Sequence, residues 1–105
     1  MKSSSHKGRW TFLTNYALVL IQVWKVPDMT VRKIAERVQI TERAAHRILA
    51  SLIKEGYISR AKVGRRNRYM VSNHRHLRHP ETAHVEVQTL LDLIQRGGGD
   101  SRSGA

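Results

Sequence analysis

One short stretch holds the residue types and spacing to read a polyanion's surface: Thr41, Arg43, His46 and Arg47. At a helical period these residues gather near the start of a helix. Ala50 and Lys54 continue the same side, while Ala45, Ile48, Leu49 and Leu52 turn inward and Ile53 sits at the edge. Arg matches guanine O6 and N7 with two parallel hydrogen bonds, and a hydroxyl or imidazole contacts bases or phosphates. Periodicity alone leaves a solvated charged face as the alternative.

A second basic cluster, Gly64-Arg65-Arg66-Asn67-Arg68, shifts the balance away from that alternative. It lies between two runs of strand character, so the glycine and its neighbours form a turn. Like charges crowded on an exposed turn repel one another and do nothing for folding. Set against phosphate oxygens they have a use, so Arg65, Arg66 and Arg68 are expected on nucleic-acid backbone or in a minor groove, with Asn67 shaping the tip. Arg32 and Lys33 at the start of an upstream helix, and Lys54, are candidate phosphate contacts.

Other chemistries find little support. Of six histidines, His74 and His76 fall on one side of an extended segment, but no carboxylate or cysteine pattern completes a metal site, so no metal or cofactor is expected. The absence of cysteine excludes disulfides and thiol catalysis. There is no glycine-rich phosphate loop, no nucleophile with a base at telling spacing, and no close carboxylate pair in the basic segment, so no enzyme is expected.

The chain's size and charge agree. Its 105 residues suit one domain with a modest core. A hydrophobic content of 40% and a charged content of 26% describe a globular chain. The formal charge is +11, and Thr30 to Met70 holds eleven Lys/Arg against three acids, a net +8, whereas the last 35 residues net 0. Charge so concentrated points to a polyanionic partner, nucleic acid or an anionic membrane surface. No apolar run is long enough to span a bilayer. Met1 to Arg9 lacks a secretory signal's apolar core and is expected to be a flexible basic arm.

The elements that must position these residues follow from punctuation. Thr14 or Asn15 caps a first helix running to about Lys25, ended by Pro27 and Asp28. That helix is apolar on nearly every side, so it is expected to be buried all round, with a second copy of the chain supplying one surface. Thr30 caps a second helix through Val38, Gln39-Ile40 turns, and Thr41 caps the third, about residues 41–55. Gly56 ends it, a strand follows over residues 57–63, residues 64–67 turn, and residues 68–71 return as a second strand. After an irregular connector, Pro80 fits the first turn of a last helix, about residues 80–96, with Ala83, Val87, Leu90, Leu91 and Ile94 as its apolar stripe. From Gly97 onward the composition predicts a flexible tail.

Ile40-Thr41-Glu42-Arg43-Ala44-Ala45, then Ile48-Leu49, Leu52 and Glu55-Gly56-Tyr57, then Gly64-Arg65-Arg66-Asn67-Arg68-Tyr69 together resemble the winged helix-turn-helix of small bacterial regulators of the MarR-like and ArsR-like type. Trp10 to Asn15 and Leu77-Arg78-His79-Pro80 resemble the flanks of that group, so the likeness covers roughly residues 10–95. It implies a homodimeric transcriptional regulator binding double-stranded DNA in the bacterial cytoplasm, at the nucleoid. It also implies a recognition-helix role for Thr41, Arg43, His46 and Arg47 and a wing role for Arg65, Arg66 and Arg68. The chain is shorter than typical MarR-like proteins and lacks the cysteines of many metal-sensing ArsR-like ones, so no effector is carried over.

The expected fold is therefore mainly α with a small β-hairpin, a winged helix-turn-helix over residues 10–96 between the arm and the tail. The terminal helices are expected to form the dimer interface through Leu18, Val19, Val23, Val87, Leu90, Leu91 and Ile94. The alternative from a different class is a winged-helix module that binds a protein partner or structured RNA through the same basic surface.

Overall fold

Three threonines start the three helices of the N-terminal half. Each side-chain oxygen accepts from the backbone amide three residues on: Thr14 from Ala17 at 3.3 Å, Thr30 from Lys33 at 3.2 Å and Thr41 from Ala44 at 3.0 Å. The helices they cap are α1 (Asn15–Lys25), α2 (Val31–Val38) and α3 (Glu42–Lys54). These are the expected starts, because an N-cap hydroxyl satisfies a helix donor that is otherwise unpaired. The computed structural model describes the backbone of residues 10–104 and the side chains of residues 10–97. The basic arm expected over residues 1–9 lies outside the described residues.

Left-handed residues end α2 and α3. Gln39 has φ 67°, with its amide on the Glu36 carbonyl at 3.2 Å and that of Ile40 on Ala35 at 3.0 Å. Gly56 has φ 84°, with its amide on Ile53 at 3.0 Å and that of Tyr57 on Leu52 at 2.8 Å. Both are Schellman closures, which satisfy the last carbonyls and turn the chain sharply. The first sets α3 across α2, and the second sends the chain into the hairpin.

The hairpin pairs β1 (Ile58–Val63) with β2 (Arg66–Val71), antiparallel, in a register from Ile58 opposite Val71 to Val63 opposite Arg66. The turn is therefore Gly64-Arg65 alone, not the expected four residues. Gly64 has φ 65° and Arg65 is not left-handed, as in a type II′ turn whose twist matches the strands. Arg66 and Asn67 are thereby strand residues. The free edge of β2 is held by the α1–α2 connection, where the Tyr69 amide donates to the Pro27 carbonyl at 2.8 Å.

Beyond the hairpin, the last helix begins later than Pro80. Pro80–Thr82 form a short 3-10 turn capped by His79, and α4 runs Val87–Gly104. The connector explains the shift. The Leu77 amide donates to Val85 O at 2.9 Å, the Val87 amide to Arg75 O at 2.7 Å and the Gln88 amide to Asn73 O at 2.9 Å. Residues 83–86 are thus held against the connector, and connector carbonyls take the first free amides of α4. The backbone stays helical through the Gly97 to Gly99 run where a flexible tail was expected. Glycine weakens a helix by about 1 kcal/mol relative to alanine but, unlike proline, does not block its hydrogen bonds.

A single core lies where α1, α2, α3 and β2 meet, closed at one end by α4. Its fully covered side chains include Val19, Val23, Ile34, Ala45, Tyr69, Val87 and Leu91. This corrects four of the expected dimer contacts. Val19, Val23, Val87 and Leu91 are at most 1% exposed within one chain, so they have no surface left for a second copy. An apolar helix in the middle of a small fold is covered by its own neighbours. Leu18, Leu90 and Ile94 remain only half-buried. Four helices and an antiparallel two-stranded hairpin in this order form the expected winged helix-turn-helix.

Candidate nucleic-acid interface

The rotation of α3 about its axis is fixed by Ala45, Ile48, Leu49 and Leu52, all buried on its inner side. That packing leaves Arg43, His46, Arg47, Ala50 and Lys54 exposed, as the period requires. Among the described residues, no ion pair engages Arg43, Arg47 or Lys54. Their guanidinium and ammonium groups stand in solvent, ready to meet an external anion. Thr41 is exposed too, but its oxygen accepts the Ala44 amide, so in the capped helix it offers its hydroxyl proton more readily than a lone pair.

The wing residues separate into three situations. Arg65, at the second turn position, and Arg68, opposite Ala61, are exposed and unpaired among the described residues. Arg66 is exposed but tied down, its Nη2 donating to the Asp28 carbonyl at 3.1 Å. Asn67 is half-buried in β2 opposite Lys62, two residues from buried Tyr69, and so does not shape the turn as expected. The shorter turn accounts for both Arg66 and Asn67. Arg60 and Lys62 were not singled out from the sequence, yet both are exposed in β1 opposite Tyr69 and Asn67, on the other face of the hairpin from Arg68. Their alternation was the signal that could have found them.

At the start of α2, Arg32 and Lys33 are exposed, and Lys33 Nζ lies 3.3 Å from the Glu36 carboxylate. An exposed pair one turn apart on a helix is worth under about 1 kcal/mol and yields readily to a phosphate. A notch of about 190 Å³ separates this end of α2 from the wing, lined by Thr30, Val31, Arg65, Arg66 and Tyr69 among others.

The connector histidines acquire a partner that sequence spacing hid. Glu86 Oε1 lies 3.4 Å from His74 Nδ1, and Oε2 lies 4.0 Å from His76 Nε2. His76 Nδ1 is 2.8 Å from the Ala83 carbonyl oxygen. The carboxylate missing from the local pattern thus comes from the residue before α4, across an isolated bridge between His76 and Glu86. Among the described residues no group of three such side chains is arranged to hold a metal ion. The cluster braces the connector.

At the end of the molecule away from the turn, an apolar cavity of about 510 Å³ is bounded by the start of α1, the last turns of α3, the connector and α4. Trp10 and Phe12 stand beside it, 77% and 92% exposed, their rings edge to face with centroids 5.1 Å apart. No described helix is long and apolar enough to cross a membrane.

Residues 15–63 match the model of the MarR family. The matched span is a little under half of the chain and runs from the first residue of α1 to the last of β1. No curated protein matches the chain.

Proposed function

From the premise that α1 through β1 are MarR-family sequence, we propose that the chain is a transcriptional regulator that binds double-stranded DNA as a homodimer and has no enzymatic activity of its own. The family match supports the coarse part of this reading, a DNA-binding regulator. The finer assignments rest on the geometry. α3 enters the major groove with Arg43, His46 and Arg47 toward base edges and Thr41 at the rim. Arg65 and Arg68 of the wing, with Arg32, Lys33 and Lys54, lie along phosphates.

One observation carries this reading above all. A helix anchored by four buried side chains and closed at both ends presents Arg43 and Arg47 on its free face, beside a hairpin with Arg65 and Arg68, all four unpaired among the described residues. Rigid presentation of uncompensated charge suits an external polyanion.

For the homodimer, the support is the apolar side chains of the N-terminal segment, α1 and α4 that one chain leaves uncovered, Trp10, Phe12 and Leu93 being exposed and Leu18, Leu90 and Ile94 half-covered. A two-fold pairing there leaves both α3 helices free for two half-sites about one helical turn of DNA apart. Such a protein works in the bacterial cytoplasm, on the nucleoid.

Selection of bound sequences from a random duplex pool tests the assignment, with RNA of equal length as control. An enriched two-fold motif with fixed half-site spacing is expected. No preference for duplex DNA over RNA at physiological salt would sink the reading. Arg43→Ala or Arg47→Ala is expected to remove about 1–3 kcal/mol of discrimination at one base position while leaving random-duplex affinity nearly unchanged. Equal losses on selected and random duplex would show that these arginines touch only backbone.

A further inference from the structure

Among the described residues, Arg66 differs from the other wing arginines in having a partner. Its Nη2 donates to the Asp28 carbonyl at 3.1 Å, one residue along from the Pro27 carbonyl that accepts the Tyr69 amide at 2.8 Å. Two neighbouring carbonyls of the α1–α2 connection therefore hold β2 at two points, three residues apart along the strand. Tyr69 is the inner tether and is 2% exposed. Arg66 is the outer one, opposite Val63 at the last pair before the turn.

The outer tether has a mechanical consequence. An isolated two-stranded hairpin is marginal in water, and here only the base of the wing is packed. The notch of about 190 Å³ between Thr30 and Arg65 leaves the tip standing clear of α2. With Tyr69 alone the tip would pivot about a single point. With Arg66 attached beside the Thr30 cap, the wing and the start of α2 move together, so Arg65 keeps a constant distance from Arg32 and Lys33.

We propose that Arg66 is a positioning residue that latches the wing to the α1–α2 connection, and that it holds Arg65 and Arg68 in register with the DNA backbone without itself neutralising a phosphate. The proposal rests on the DNA-binding reading only for its second half. The latch is a property of the free protein.

Two measurements separate these halves, using Arg66→Met, which keeps the apolar stem and removes the donors, and Arg66→Lys, which restores one donor. In the free protein, amide exchange at Tyr69 is expected to quicken several-fold in Arg66→Met and to return toward the parent rate in Arg66→Lys, with unchanged thermal midpoints showing that the fold is intact. An unaltered Tyr69 exchange rate in Arg66→Met overturns the latch.

On duplex DNA, Arg65→Ala should flatten the dependence of log K on log salt by about 0.9, the loss of one neutralised phosphate. Arg66→Met should weaken binding by on the order of threefold to tenfold, as for one lost hydrogen bond, with the salt slope unchanged and partial recovery in Arg66→Lys. A slope flattened by about 0.9 in Arg66→Met makes Arg66 a phosphate contact and refutes the positioning role. If the parent protein fails to bind duplex, the DNA-binding reading and the positioning role fall together, while Tyr69 exchange still decides the latch.

Discussion

The Arg75 guanidinium lies over the Tyr57 ring, 5.3 Å from its centroid, and donates to the carbonyl of Glu55, the residue that closes α3. Tyr57 in turn donates its hydroxyl to the His76 carbonyl at 2.6 Å, and Arg75 O accepts the Val87 amide that opens α4. The end of α3 and the start of α4 are thus joined through one arginine and one tyrosine.

Replacing that arginine tests the joint. Arg75→Ala is expected to cost about 1–2 kcal/mol in urea unfolding, because it removes a hydrogen bond to the negative end of α3 and a cation on a ring face. Arg78→Ala, which loses only an exposed contact with Glu55 at 3.7 Å, should cost less than about 1 kcal/mol. Equal costs would mean that neither the hydrogen bond to α3 nor the stacking adds to stability.

Gln39 is the one described non-glycine residue with a positive φ, at 67°, and it closes α2 where glycine is the usual solution. Gln39→Gly should therefore stabilise the fold by about 0.5–1 kcal/mol, and Gln39→Val should destabilise it, since a branched side chain meets the left-handed backbone badly. Thermal midpoints of the two variants should move in opposite directions.

Thr41 has a structural duty that must be separated from any contact with bases. Thr41→Ala is expected to lose about 1 kcal/mol of stability, while Thr41→Asn retains the cap and most of that stability. If base contact also matters, Thr41→Asn will fold normally yet shift the selected DNA sequence. Identical selections from parent and Asn variant would reduce Thr41 to a cap.

Leu91 and Ile94 lie one turn apart on α4 with different fates. Leu91, fully covered inside one chain, should cost about 2–5 kcal/mol as Leu91→Ala, whatever the protein concentration. Ile94→Ala should cost less in folding and instead weaken self-association, seen as a lower sedimentation average at micromolar protein. An unchanged association state for Ile94→Ala would move the proposed interface off this face.

How much of this was legible in advance depended on the range of the interactions involved. Helix starts at Thr14, Thr30 and Thr41, the closures at Gln39 and Gly56, and the inner and outer faces of α3 could all be read, because a cap spans three residues and a helix face repeats within seven. The hairpin's existence could be read as well. Its turn length could not, since a two-residue turn at Gly64-Arg65 and a four-residue turn ending at Asn67 differ only in strand register. Register depends on what β2 packs against.

The sequence by itself determined the winged helix-turn-helix and the basic segment that points to a polyanionic partner, because local caps, periodicity and charge suffice for both. Only the tertiary structure decided which basic residues are free. It occupied Arg66 with the Asp28 carbonyl and turned Asn67 half inward, while among the described residues Arg43, Arg47, Arg65 and Arg68 stayed unpaired. It also placed Val19, Val23, Val87 and Leu91 inside a single chain and brought Glu86 to His74 and His76. Each of these outcomes joins residues from different elements, and a one-dimensional pattern carries no record of which elements become neighbours.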